Sequence, residues 1–204
     1  TSAQTTATAL SDLYNKWVLV GSDEWKTSWP TITSSNAPTS LTAANTVNIN
    51  GTTVAVPAGP DNTVTGLAAA INTATISGVY AANVGGKLQL FADSNATADG
   101  STAGDGIIHI QNGTGTPLAT LGIVAGTYYA PQYLAAPSYS YPAWGSTQTQ
   151  PKPTGSVWMK TNNVNLGASL VVKKFNSTLG TFVQQSCPAY SGDAAALYGL
   201  DPSG

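Results

Sequence analysis

Apolar and polar residues alternate with a period of two through much of this chain, and switch to a helical period in only a few places. Thr46-Val47-Asn48-Ile49 and Thr53-Val54-Ala55-Val56 alternate on either side of Asn50-Gly51. That dipeptide accepts the positive φ angles of a type I′ turn, so a β-hairpin is predicted here. Asp61 or Asn62 can then cap a helix over 64–72, where Val64, Leu67, Ala68 and Ile71 recur on one face. Residues 79–84 and 87–91 form a second predicted hairpin around Gly85-Gly86. A Gly/Ala/Thr/Asp loop over 94–106 leads to a strand at 107–110, then to a helical turn at 117–121 that Gly122 stops.

The flanks carry a different pattern. Residues 1–10 are polar and unpatterned, as in a flexible lead-in. Residues 13–20 (LYNKWVLV) are aromatic and β-branched and predict a strand, followed by a turn at Gly21-Ser22-Asp23. Trp25 and Trp29 come next, before Pro30 stops regular structure, and 34–39 is a connector. Residues 131–153 are rich in Tyr, Pro, Ser and Gln without apolar periodicity, which predicts an extended crossing packed through Tyr133, Tyr139, Tyr141 and Trp144. A β-meander is predicted over 156–161, 169–175 and 181–185, with a turn at 176–180. A short helix over 193–200, capped by Asp193, closes the chain. The expected architecture is mainly β with short helices. Residues 11–39 and 127–204 make a β-rich domain, and a small α+β module over 40–126 is inserted into it, as neighbouring termini permit.

Composition sharpens this picture. The hydrophobic fraction, 42%, is ordinary for a folded chain, but only 8% of residues are charged, against the usual quarter or so. Arg is absent, Glu24 is the single Glu and His109 the single His. Thr, Ser, Asn and Gln must therefore cover the surface, and they suit strands and turns better than helices. Without Arg there is no bidentate grip on phosphate, and the seven Lys form no stripe, so nucleic-acid binding is not expected. No apolar run approaches the roughly 20 residues of a membrane span, and no signal peptide is visible. The start at Thr1 and the stop at Gly204 fit a processed or excised piece. Cys187 stands alone and reads as a buried structural thiol, without disulfide or zinc cluster.

Candidate chemistry is sparse, and neither a catalytic group nor a cofactor is expected. His109 lies between Ile108 and Ile110 in an alternating strand, which points it away from the apolar face. Asp23-Glu24 supplies half of what sugar cleavage requires, two carboxylates flanking the bond, but fits a turn and exposed strand start better. Asp93-Ser94-Asn95-Ala96-Thr97-Ala98-Asp99 spaces oxygens as a calcium loop begins, yet position six is Ala98 and position twelve Gly104, where Gly and Glu belong. The Gly-rich stretches 100–106 and 113–115 lack the Lys of a phosphate loop. Sequons at Asn50, Asn95, Asn112 and Asn176 carry meaning only in a eukaryotic secretory setting. Tyr128, Tyr129, Tyr133, Tyr139, Tyr141 and Trp144 form the candidate interface or glycan-contact set, since aromatic faces stack on sugars and anchor protein interfaces.

The run Val47-Asn48-Ile49-Asn50-Gly51-Thr52-Thr53-Val54 resembles the "IN" motif of flagellin and hook-associated proteins. The order of the following pieces is similar too: Leu67-Ala68-Ala69-Ala70-Ile71-Asn72, Gly78-Val79, Gly86-Lys87-Leu88-Gln89-Leu90, Ile108-His109-Ile110, and Leu118-Ala119-Thr120-Leu121-Gly122-Ile123. The resemblance spans about 45–123. Flagellins carry long terminal coiled-coil helices, whereas this chain shows no sustained heptads at either end. Its flanks, GSVWMKT and LVVKKFNSTLGTFVQQ, are similar instead to β-rich segments of tailed-phage virion proteins. The resemblance implies a non-enzymatic virion component (tail, sheath, neck, fibre or head decoration) that assembles with other virion proteins and with copies of itself. The alternatives are a host-surface or glycan-binding adhesin, or a flagellar-type filament component at the bacterial surface.

Overall fold

The computed structural model describes residues 18–98, 106–137, 153–161, 171–176 and 178–185. The first hairpin forms where the alternation predicts it, from β2 (Thr46–Ile49) and β3 (Thr52–Ala55). Asn50 at φ 48° and Gly51 at φ 81° make the turn that the dipeptide favours. Helix α2 (Val64–Thr73) buries Val64, Leu67, Ala68 and Ile71, the predicted face. Its cap is Thr63, whose hydroxyl accepts the Gly66 N–H at 3.1 Å. Asp61 and Asn62, the expected caps, precede the N-cap position that Thr63 takes, and the Asn62 amide donates instead to the Leu41 carbonyl at 2.8 Å.

The second hairpin joins β4 (Val79–Val84) to β5 (Lys87–Ala92), and the two-residue β1 (Ile32–Thr33) pairs with β5, giving a sheet ordered β1-β5-β4. Strands β6 (Ile107–Asn112) and β7 (Gly126–Tyr129) extend the first hairpin into a sheet ordered β3-β2-β6-β7. Helix α3 (Pro117–Leu121) ends at Gly122, which takes the left-handed conformation at φ 67°. One core fills the space between these elements, with Ile49, Leu67, Ile71, Leu90, Ile108 and Leu121 at its dry centre. Burial of side chains this size contributes about 1.5–3 kcal/mol each.

The chain is mainly β. The predicted meander is present as β9 (Val157–Lys160), β10 (Val171–Asn176) and β11 (Thr181–Gln185), and β8 (Tyr133–Ala136) joins it in the order β11-β10-β9-β8. β8 lies parallel to β9, so part of the expected extended crossing is a paired strand. Trp158, Phe175 and Phe182 form a second, smaller core through edge-to-face contacts, with ring centroids 6.0 and 5.4 Å apart. Trp29 lies beneath the Lys174 ammonium, 4.0 Å from its ring centroid, and packs closely against Gly155. Strand pairing runs across both sequence-predicted module edges, since β1 pairs with β5 and β7 with β6. The predicted C-terminal helix lies outside the described residues, as do 13–17 of the predicted first strand; residues 18–20 are coil and turn. No helix among the described residues is long and apolar enough to cross a membrane.

Candidate functional site

Asp23 and Glu24 begin a helix rather than a turn and strand start. In α1 (Asp23–Thr27) the Ser22 hydroxyl accepts the Trp25 N–H at 3.2 Å, and two acidic residues occupy the first turn, where the helix dipole favours them. Trp25 is buried, which presses the helix onto the sheet. The Asp23 carboxylate accepts the Ser94 N–H at 2.9 Å and so ties α1 to the loop that follows β5. Hydrogen bonds from the Ser94 side chain and backbone hold the Asp23 carboxyl below the usual aspartate range, with Lys26 adding to the effect.

Across from α1, Tyr80 of β4 and Phe91 of β5 are cross-strand partners on the outer face of the sheet. The Tyr80 hydroxyl donates to Asp93 at 2.8 Å, and the other Asp93 oxygen accepts the Asn95 N–H at 2.7 Å. Asp93 is 6% exposed, while Tyr80 is 51% exposed. Together Asp23, Glu24, Thr27, Tyr80, Phe91 and Asp93 line an open cleft of about 410 Å³. Two motifs that stand far apart in the sequence, the Asp23-Glu24 pair and the start of the Asp93 loop, thus meet at one place. Asp93 is engaged with Tyr80 and with its own loop, and Asp99 lies outside the described residues. Among the described residues no group of three His, Cys, Asp or Glu side chains is placed to hold a metal ion.

The cleft offers an apolar aromatic wall and carboxylate acceptors at its rim, which matches the apolar face and hydroxyl donors of a sugar ring. Tyr80 and Phe91 occupy the polar phase of their alternating strands, so their outward placement was legible, although nothing in the sequence marked them as neighbours of Asp23. The Asp93 acceptor and its charge raise the Tyr80 hydroxyl above the usual tyrosine range. The raised acid favours the protonated contact below about pH 10 and loses it as pH climbs through the folded value. A difference titration between the chain and Tyr80→Phe is expected to show the missing phenolate transition above the ordinary range, and Asp93→Asn should bring it down. A Tyr80 transition unmoved by Asp93→Asn would contradict this assignment.

The Tyr-rich set separates. Tyr128 is 4% exposed and its hydroxyl donates to the Val124 carbonyl at 2.6 Å, so it belongs to the core and not to a contact surface. Tyr129 is half-buried in β7. Tyr133 is 42% exposed, its hydroxyl 3.8 Å from the Met159 sulfur. Tyr139, Tyr141 and Trp144 lie outside the described residues. His109 sits on the face opposite Ile108 and Ile110, its Nδ1 3.1 Å from the hydroxyl of its cross-strand partner Thr127. No family model, curated protein or solved structure matches the chain.

Proposed function

We propose that this chain is a non-enzymatic structural component of a bacteriophage virion that works by assembling with other virion proteins and with copies of itself. The observation that carries this reading is the placement of the flagellin-like pieces. In their sequence order they occupy β2, β3, α2, β4, β5, β6 and α3 around one continuous core. Within the Ile-Asn-Gly stretch each residue has a distinct job: Ile49 is fully buried, the Asn50 amide binds β6, and Gly51 completes the turn. The polar surface has a matching economy. Asn36, Asn50, Asn62 and Asn72 direct their amides to backbone groups of neighbouring segments, as a durable scaffold with few charges requires.

The cleft beside α1 supports a second reading, a glycan-binding adhesin in which Tyr80 and Phe91 stack on a sugar. The two are separated by mass spectrometry of purified particles and by binding of the chain to intact host-type bacteria and a glycan panel. The structural role predicts the chain in particles at fixed stoichiometry and no saturable glycan binding at high micromolar concentration. Saturable binding that free glycan competes away, and that Tyr80→Ala abolishes, would replace it with the adhesin. Absence from purified particles would overturn the virion role outright.

A further inference from the structure

The chain contains two Asn-Gly dipeptides, Asn50-Gly51 and Asn112-Gly113. A glycine after asparagine favours self-deamidation, because no Cβ hinders the glycine nitrogen from reaching the asparagine side chain. The glycine nitrogen bonds to the asparagine Cγ and gives up its proton to water, while the Cγ–Nδ2 bond breaks and ammonia leaves. Water then opens the five-membered imide at either carbonyl, giving aspartate or isoaspartate. The reaction needs a side-chain amide free to turn and a glycine nitrogen free to attack.

In this fold both groups are engaged at both sites. The Asn50 Nδ2 donates to the Ile107 carbonyl at 2.8 Å, and its Oδ1 accepts the His109 N–H at 2.7 Å. The Gly51 N–H donates to the Asn48 Oδ1 at 3.2 Å. At the second site the Asn112 Oδ1 accepts the Leu118 N–H at 3.1 Å, and the Gly113 N–H donates to the Thr46 carbonyl at 2.9 Å. The bonds from Asn50 reach from the end of β2 to β6, and the bond from Gly113 returns from the end of β6 to β2. One strand pair therefore holds both dipeptides.

We propose that Asn50 and Asn112 are latent water-driven modification sites locked by the β2–β6 pairing, with the Asn48 bond to the Gly51 N–H as a second latch at Asn50, so that both amides are lost quickly only when these contacts open. The consequences of conversion differ. At Asn50 the product replaces the donor facing the Ile107 carbonyl with an oxygen, which weakens the pairing and exposes the second site. At Asn112 the aspartate product keeps the acceptor that Leu118 uses. For the aspartate product, damage therefore spreads from Asn50 to Asn112 and not the reverse.

The test holds the full chain in mildly alkaline buffer, with and without denaturing urea, and follows the amide-to-acid mass gain at each site by peptide mass spectrometry. Conversion at both sites in the folded chain is expected to be slower than in urea by about a hundredfold or more, since chemistry at a protected group waits on opening of the structure around it. Asn48→Ala, which releases the Gly51 N–H, should speed conversion at Asn50 from the start, while Asn112 keeps the parent rate in chains whose Asn50 is still intact. Folded-state conversion at either site close to the rate in urea overturns the lock. So does an Asn48→Ala chain whose Asn50 converts no faster than the parent's. Should that variant fail to fold, the folded-against-urea comparison on the parent chain still decides.

Discussion

Gly78→Ala is expected to cost this protein at least about 3 kcal/mol, enough to depress its folded yield, because it combines backbone strain with a collision that cannot relax. Gly78 has φ 66°, in the left-handed region where an L side chain costs roughly 1–2 kcal/mol. The greater part of the loss is steric. A Cβ at this position would press on the Ala96 nitrogen, the Asp93 carboxylate and the carbonyl carbon of Asn95, two of the three being backbone. These atoms are held in place. Asp93 donates its N–H to the Gly78 carbonyl at 2.9 Å, and Ala96 donates back to the Asp93 carbonyl at 3.1 Å. The same turn orients Asp93 toward Tyr80 and Ser94 toward Asp23, so the cleft loosens along with the fold. Gly85→Ala is the control, since it shares a positive φ of 59° but its Cβ would enter open space. Urea denaturation should show a loss at Gly78 well beyond that at Gly85. Equal losses would mean that φ alone accounts for the effect.

The elements legible in the sequence were those whose signals are local. Both hairpins announce themselves by alternation around Asn50-Gly51 and Gly85-Gly86, and the α2 face by its period. What escaped depends on distant partners. β8 has no alternation in Tyr133-Leu134-Ala135-Ala136 and exists because it lies parallel to β9, a pairing no local pattern specifies. In Tyr128-Tyr129 two adjacent aromatics compete for one inward position, and the register of β7 on β6, with Tyr128 opposite Ile108, decides for Tyr128. Helix α1 carried a readable signal, Ser22 followed by two acids, but five residues are too few to set up a period. The cleft was legible only in halves, because the hydrogen bond that joins Asp23 to Ser94 closes a separation of 71 residues. The asparagines show the same limit. Composition identifies a polar surface, yet only the tertiary arrangement shows Asn72 binding both the N–H and the carbonyl of Ala81 at the edge strand β4, where an open edge invites aggregation.

Asn50→Ala should lower stability by about 2–4 kcal/mol, combining the loss of two amide bonds with the strain of a left-handed alanine. The backbone ladder between β2 and β6 reaches Ile49 opposite Ile110. Beyond that point Asn50 continues it, donating its own N–H to the His109 carbonyl at 2.9 Å and using its side-chain amide as a further rung to Ile107 and His109. Alanine leaves the Ile107 carbonyl and the His109 N–H without that rung, beside a strand that also pairs with β7. Asn50→Gly separates the two contributions. Glycine accepts φ 48° without strain but makes no side-chain bond, so it should recover only the backbone share, roughly 1 kcal/mol. Asn50→Asp keeps the acceptor for His109 and sets an oxygen against the Ile107 carbonyl, so it should fall below the parent chain as well. Urea midpoints for the three variants place the energy. If Asn50→Gly were as stable as the parent, the side-chain rung would carry nothing, and the asparagine of the Ile-Asn-Gly stretch would serve only to tolerate the turn.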